Sequence, residues 1–415
     1  MGKIRLSYST FGLTNLDFLD AIDAVDRAGY EGIEISFHRD QFNPFNIDDD
    51  YLAAVRQRLA ARRVKAACVA TASHFFDPHR PHEPSLMALE KAARKRRIDL
   101  VKRGIHVARK LGVNLVTFGS GFLRDDHVAN PQVDPGELLV DSIHECLREI
   151  RGDEDMTLLI EPEPGMYIET MAEGLALLQQ VDSPKFKLHI DICHAYCSEA
   201  NYLDALRAAA PQARYLHISD AREGYNLKIT HDREDLSSDL DFARRLVHFE
   251  DTADFLLLDR DHPIHFREEA PTAARRKRIE TLLDRAGVRK DLQVVDYSSL
   301  YAGSSPLDDE LFTYLISMPG LSYDVLERAR PVLGYLRGAR GPALVDRMVA
   351  NTLTGIVHFH EIPGEGTLDL AGSFRALVEG GFSGYGAVEL YHHVDGWQKA
   401  LDDSYRHLAP LAAAC

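Results

Sequence analysis

The chain alternates between short apolar runs typical of strands and amphipathic runs typical of helices, and this rhythm restricts the folds open to it. It begins with KIRLSYS (3–9), followed by NLDFLDAIDAVDRAG (15–29). The apolar positions of the second run share one helical face: Leu16, Leu19, Ile22 and Val25. Asn15 is a candidate N-cap for this helix, and Gly29 is a candidate stop. Parallel strands joined by helices are the simplest structure for such alternation.

The rhythm continues through most of the chain. Seven strands are predicted before residue 221, at 3–9, 32–36, 65–72, 114–120, 157–164, 187–191 and 213–220. Helices are predicted near 15–29, 48–63, 86–111, 135–150, 170–180 and 201–210. After residue 355 come GIVHFHEIPGEG (355–366), a helix near 370–379, an eighth strand, GYGAVELY (384–391), and a helix near 396–409. Eight βα units with right-handed crossovers close most simply into an α/β fold, the (β/α)8 TIM barrel.

Residues 221–355 break the pattern and are predicted to form a large α+β insertion after strand seven. The barrel would consist of 1–220 and 356–415, together 280 residues, close to the usual ~250. The insertion would leave the barrel at the face where barrel enzymes carry their chemistry, so a lid or cap is expected, with a surface or oligomerisation arm as the alternative. An open doubly wound sheet is the alternative fold, but the turn STFGLTN lacks its Gly-rich phosphate-binding pattern.

Charge and hydrophobic composition restrict the kinds of partner that the protein is expected to bind. A formal charge of −16 argues against binding to a nucleic-acid backbone, which needs clustered Lys and Arg. The chain has no run of ~18 apolar residues that would span a membrane and no apolar signal core at its start. Five scattered cysteines do not form a disulfide framework. We therefore expect a cytoplasmic protein with a small-molecule partner, and a homo-oligomer is compatible with this composition.

Four of the late strands end in residues of the types that bind metals in proteins. They are Glu161 in LLIEPEP, Asp191 in KLHID, His217 in YLHISD and Glu389 in AVELY. In a barrel, the carboxyl ends of the strands surround one cup. Burying four such polar groups separately would be costly. The pattern therefore predicts a shared site for a divalent cation such as Mn²⁺, Mg²⁺, Co²⁺, Fe²⁺ or Zn²⁺.

The motifs IEP, DxCH, HxSD, PGEG and VEL, in this order, resemble the xylose isomerase-like TIM-barrel superfamily. That group includes sugar isomerases, D-tagatose 3-epimerase-type enzymes and nucleases of the endonuclease IV type. The resemblance covers both barrel segments and not the insertion. It implies one metal held by Glu161, Asp191, His217 and Glu389, with Glu161 and Glu389 also acting as the catalytic acid and base.

The resemblance also implies residues that line the substrate pocket. His194 and Arg222 match positions that hold substrate oxygens in the epimerase branch. His74, after strand three, matches a ligand position of the endonuclease branch, and His38, after strand two, is a further candidate for the pocket wall. Glu34 in GIEIS matches a glutamate common to the superfamily, which is structural or lies at the edge of the substrate.

A second metal ion is a further expectation from the resemblance. His358 and His360 in HFHEIPGEG lie two apart and would share one face of a strand, and with His194 they match ligands of an additional zinc in the endonuclease branch. The ligand position after strand four of that branch falls near Phe118–Gly119, where no histidine stands. A full set of three zinc ions is therefore not expected.

These observations favour a metal-dependent isomerase or epimerase of a sugar, a cyclitol ketone or a related polyhydroxy carbonyl compound. Such an enzyme removes and returns a proton through two metal-bound glutamates. The alternative is a dinuclear oxidative or hydrolytic enzyme: a dehydratase, an oxidase or a nuclease of the endonuclease IV type. A binding protein without catalysis is a third reading, and it would not need both carboxylates.

Overall fold

The structure is a computed structural model. It describes residues 3–71, 75–76, 82–122, 126–127, 130–164, 166–199, 201–223, 265–266, 293–296, 312–317 and 356–415. For 222–223, 265–266, 293–296, 312–317, 356–359 and 392 it describes the backbone alone. The chain divides into two compact units, Met1–Ala221 with Phe359–Cys415, and Arg222–His358. Within the described ranges, no helix is long and apolar enough to cross a lipid bilayer.

Eight parallel strands of the first unit close into a barrel, which confirms the predicted fold class. They are β1 (Ile4–Ser9), β2 (Gly32–Ser36), β3 (Lys65–Ala70), β4 (Leu115–Gly119), β5 (Thr157–Glu161), β6 (Phe186–Asp191), β7 (Ala213–Ile218) and β13 (Gly384–Val388). Neighbouring strands follow chain order, and β13 lies between β7 and β1 to close the ring. Because all eight strands run in one direction, their carboxyl ends lie at one mouth of the barrel.

Helices cover the outside of the strands. They are α1 (Phe18–Ala28), α2 (Asp49–Ala60), α3 (Lys91–Leu111), α4 (Pro135–Leu147), α5 (Met171–Val181), α6 (Ile192–Ser198), α7 (Tyr202–Ala209), α8 (Leu370–Glu379) and α9 (Trp397–Ala414). Their apolar faces pack on the strands in one continuous core that includes Ile22, Val101, Ile143 and Phe374. The apolar faces that the helical period predicts therefore pack against the strands of the barrel.

The first helix begins differently from the prediction. Asp17, and not Asn15, is its N-cap, and the Asp17 side chain accepts from the Leu19 amide. The side-chain amide of Asn15 instead donates to the backbone oxygen of Val394 and to the Asp395 carboxylate, and these bonds hold the β1–α1 loop against the C-terminal segment. Gly29 ends the helix at a left-handed φ of 98°, which glycine adopts without strain.

The remaining strands lie outside the barrel. Residues 355–366, where the rhythm was predicted to return, contain β12 (Ile356–Glu361), which pairs with β8 (Asp220–Glu223) in a two-stranded sheet. In the second unit, β9 (His265–Phe266), β10 (Gln293–Asp296) and β11 (Phe312–Ser317) form an antiparallel sheet. The predicted strand RLVHFED and the helices predicted near 271–286 and 322–350 lie outside the described residues.

One ion pair ties α3 to the segment that precedes β5, the strand that carries Glu161. Arg109, near the end of α3, donates from Nε and Nη2 to both carboxylate oxygens of Glu154, at 2.7 and 3.0 Å. These hydrogen bonds lower the pKa of Glu154 to about 2 although partial burial opposes the charge. The pair therefore stabilises the fold above the ordinary carboxyl pKa of 4.5, and this contribution is lost as the pH falls towards 2.

We expect Glu154→Gln to lower the free energy of unfolding by about 1–2 kcal/mol at pH 7, because a paired, partly screened carboxylate is lost. The difference from the wild type should shrink steadily between pH 4.5 and pH 3. Urea titrations across this range measure it, with Glu149→Gln, an exposed neighbour, as the control. A difference that stays constant with pH would show that the ion pair does not stabilise the barrel.

Candidate metal centre

The four predicted ligands are brought to one mouth of the barrel. Glu161 and Asp191 are the last residues of β5 and β6, and His217 is the second-last residue of β7. Glu389 directly follows β13, and its amide donates to Ile218 O at 3.2 Å, which continues the sheet by one residue. Each side chain therefore extends from a rigid strand end, as the carboxyl-end rule for barrels predicts.

Nδ1 of His217 is the point on which the three carboxylates converge. Its distances are 3.0 Å to Glu161 Oε1, 3.5 Å to Glu389 Oε2 and 3.8 Å to Asp191 Oδ2. The His217 and Asp191 side chains are buried, while those of Glu161 and Glu389 are 13% and 14% exposed. The two glutamates are therefore the members of this cluster that solvent or a bound molecule can reach.

The other ring nitrogen of His217, Nε2, is held by the buried carboxylate of Glu34. His217 Nε2 donates to Glu34 Oε2 at 2.9 Å, and Ser9 Oγ donates to Glu34 Oε1 at 2.7 Å. Glu34 is fully buried in β2. A carboxylate behind an imidazole orients the ring and makes its second nitrogen a better ligand. Glu34 therefore holds His217 with Nδ1 directed at the carboxylates.

Asp191 carries the clearest sign that the cluster suits a cation. Its Oδ1 accepts from the His194 amide at 3.1 Å, but its fully buried Oδ2 has no hydrogen-bond partner. Three imidazole nitrogens surround Oδ2 at 3.7–3.8 Å, from His194, His217 and His360. Atoms bonded to one octahedral cation at about 2.1 Å lie roughly 3.0 Å apart when they are adjacent and about 4.2 Å apart when they are opposite, and the observed distances fall within this range. The donors and their spacing therefore fit a divalent metal.

The carboxylates differ in their ionisation. Burial raises the pKa of Glu161 to about 7, against the opposing influence of His217 and His194. Burial would also raise the pKa of Asp191, but His194, His360 and His217 lower it to about 2. For Glu389, His217 and His360 outweigh burial and lower the pKa. In the polypeptide itself, two carboxylates are thus ionised while Glu161 titrates near neutrality.

The imidazoles show the complementary effect. Burial disfavours the charged form of His217, but Glu389, Glu34 and Glu161 raise its pKa well above the ordinary value. Asp191 and Glu389 likewise overcome burial at His360 and raise its pKa to about 10. Protons on these rings balance the negative charge of the cluster, and a bound cation would take over that function.

His194 and His360 form a second edge of the site. His194 Nδ1 donates to Pro162 O at 3.1 Å, and His360 Nδ1 donates to the backbone oxygen of Glu389 at 3.0 Å. These bonds turn both Nε2 atoms towards Asp191 Oδ2, and the two Nε2 atoms lie 3.4 Å apart. The side chain of His358, the third predicted ligand of a second metal, lies outside the described residues.

The predicted pocket-lining residues are placed as follows. Arg222 lies in β8, but its side chain is outside the description, and His74 lies outside the described residues altogether. His38 follows β2, where its Nδ1 accepts from the Asp40 amide at 3.4 Å. Burial lowers the pKa of His38. The described contacts thus place His38 in the β2–α2 segment and do not join it to the cluster.

One residue of the cluster was absent from the sequence prediction. His189 lies in β6, fully buried, with Nδ1 at 3.4 Å from Glu161 Oε2 and hydrogen bonded to Thr117 Oγ1 at 2.8 Å. Burial lowers its pKa well below the ordinary value, so the ring is neutral. The signal was available, because His189 lies two residues before Asp191 and so faces the same side of the strand.

Fold and site together define a class: a (β/α)8 barrel with a buried carboxylate–imidazole cluster at the carboxyl ends of its strands. The model of the xylose isomerase-like TIM barrel family matches residues 22–283. The chain therefore belongs to the xylose isomerase-like TIM barrel family. No curated protein sequence shows a significant match to it.

Solved structures with TM-scores above 0.5 agree with this fold. An IolI protein with a bound zinc atom aligns at a TM-score of 0.52 and 12% identity, covering 99% of each chain. A xylose isomerase domain protein from Alicyclobacillus acidocaldarius aligns at a TM-score of 0.51 and 12% identity, again covering 99% of each chain. D-psicose 3-epimerase from Clostridium cellulolyticum H10 is 17% identical with a TM-score of 0.43, over 52% of this chain and 73% of that one.

Proposed function

We propose that the protein is a divalent-metal-dependent isomerase or epimerase of a polyhydroxy carbonyl compound: a sugar, a cyclitol ketone or a relative of these. The observation that carries the proposal is the convergence of Glu161, Asp191 and Glu389 on Nδ1 of His217. Asp191 Oδ2, buried without a hydrogen-bond partner, supports a cation at this point. Membership of the xylose isomerase-like family supports the reaction class.

The residues fall into separate roles under this proposal. Glu161, Asp191, His217 and Glu389 would hold the cation, which when bound supplies a Lewis acid for neighbouring substrate oxygens and acidifies the adjacent C–H bond. Glu161 and Glu389 contact His217 Nδ1 from different strands and are the partly exposed members. One carboxylate removes the proton and the other returns it. Glu34 and Ser9 keep His217 oriented.

Metal analysis followed by isotope exchange tests this function. We expect the purified protein to hold about one equivalent of a divalent metal per chain. In heavy water, the metal-loaded protein should introduce deuterium beside the carbonyl group of at least one ketose or cyclitol ketone. Chelator-treated protein is the control and should regain exchange when the metal is restored. Metal-loaded protein that exchanges no compound of the panel would refute the proposal.

A second candidate is a dinuclear oxidative or hydrolytic enzyme. The Nε2 atoms of His194 and His360, turned together towards Asp191 Oδ2, favour it, because Asp191 would then stand between two ions. The same metal analysis separates the candidates, since this one requires two equivalents per chain. Oxygen uptake and cleavage of a duplex containing an abasic site then distinguish an oxidase from a nuclease. The charge of −16 disfavours the nuclease.

A further inference from the structure

His82 lies in an unusual backbone conformation beside the cup. It has a φ of 61°, in the left-handed region, although it is not a glycine. A non-glycine residue in this region costs free energy and is retained where the surroundings hold it, often at functional sites. The side chain of His82 is nevertheless buried, with 10% of it exposed.

The imidazole of His82 fills the space that a missing side chain leaves in the barrel wall. A Cβ atom built on Gly119 would lie 2.9 Å from Cε1 and 3.0 Å from Nδ1 of His82. Gly119 is the last residue of β4 and is in register with Glu161 on β5. The same Cβ would also lie 3.0 Å from Cε of Met166, so a side chain at residue 119 would displace the His82 ring together with the end of Met166.

Position 119 faces the inside of the barrel. Thr117, two residues earlier in β4, directs its hydroxyl to His189, which lies beside Glu161. Side chains two apart in a strand point to the same face, so Gly119 faces inwards as Thr117 does. The His82 ring thus packs on the inner side of β4 at Gly119, which is in register with the predicted ligand Glu161 on the neighbouring strand.

A carboxylate orients the ring. Nε2 of His82 is 3.3 Å from Glu163 Oε2, and Phe122 packs against the ring edge-to-face at a centroid distance of 5.7 Å. Glu163 also belongs to the segment that builds the metal centre. Glu161 contacts His217, Pro162 O accepts from His194, and Glu163 faces His82.

We propose that His82 is a substrate-binding residue that contacts a hydroxyl group of the substrate through Nδ1. With Glu163 facing Nε2, hydrogen on Nε2 is favoured, and Nδ1 above Gly119 is left to bind an oxygen-bearing group. This assignment rests on the proposed isomerase function and adds a substrate-binding residue to the same site. Glu163 is the positioning residue that orients the ring.

Three substitutions test the role of His82 with little risk to the fold. His82→Gly removes the ring and tolerates the left-handed φ. His82→Asn also tolerates it and keeps a polar atom where Nδ1 stands, so it should restore part of the function. Gly119→Ala leaves His82 unchanged and displaces its ring. Gly152→Ala, where an added Cβ meets nothing within 4 Å, and His144→Asn on α4 are the matched controls.

The experiment measures kcat and KM for deuterium exchange with the compound of the ketose and cyclitol panel that the wild type exchanges fastest. We expect His82→Gly and Gly119→Ala to raise KM about tenfold, as loss of one hydrogen bond to a hydroxyl does, while kcat changes less than about threefold. His82→Asn should recover part of this loss. Glu163→Gln should raise KM less than His82→Gly.

The outcomes separate the two proposals. If the wild type exchanges a compound and KM stays at the wild-type value in His82→Gly and Gly119→Ala, His82 does not bind substrate and the isomerase function stands. Equal losses of thermal stability in His82→Gly and His82→Asn with unchanged KM would likewise assign the ring a structural role. If the wild type exchanges nothing, the isomerase function fails and this assignment falls with it.

Discussion

Glu161→Gln and Glu389→Gln should each reduce the rate of deuterium exchange by about 10³-fold or more, because each removes a carboxylate that accepts or returns the proton. Glutamine has nearly the same volume and keeps a carbonyl oxygen, so the barrel should remain folded. The two side chains are the partly exposed members of the cluster. Loss of either should therefore halt the same reaction and not only weaken substrate binding.

Metal content decides how such a loss is interpreted. It is measured for each variant before the exchange rate, since both glutamates are also proposed ligands. Glu145→Gln, at the surface ion pair with Lys102, is the matched control and should exchange within about twofold of the wild type. A glutamine variant that keeps both its metal and its exchange rate would exclude a two-carboxylate mechanism.

The location of the cluster could be predicted because barrels place strand ends together. Glu161, Asp191 and His217 each end an apolar run, and the direction of parallel strands sends all three to one mouth. The eight-strand count and the order of elements followed from the change between apolar runs and helical periods. No knowledge of individual contacts was needed for either inference.

What escaped prediction depends on contacts between distant residues. Glu34 and His217 lie 183 positions apart, and nothing in either strand reveals that one orients the other. His82 stands in a loop with no periodic pattern, and its place is set by a glycine on another element. β12 resembles a barrel strand in sequence, yet it pairs with β8. The apolar pattern predicts that a strand forms, but it does not predict which other strand it pairs with.

Asp191→Asn is expected to weaken divalent-metal binding by about 100-fold, because it removes a ligand charge from a fully buried position. Asparagine is also a good N-cap, so its side-chain oxygen can still accept from the His194 amide and α6 should remain intact. The variant therefore separates the two functions of Asp191. Oδ1 caps the helix, and Oδ2 faces the three imidazoles.

Thermal and chemical unfolding with and without metal measures this effect. At a free metal concentration 100 times the wild-type Kd, binding stabilises the wild type by about 2.7 kcal/mol and a variant with 100-fold weaker affinity by about 0.4 kcal/mol. Asp48→Asn, at the N-cap of α2, is the matched control and should keep the full gain. If Asp191→Asn gained as much stability from metal as the wild type, the cation would not bind at Asp191. The buried, unpartnered Oδ2 would then need another explanation, and Asp191 would be removed from the proposed set of ligands.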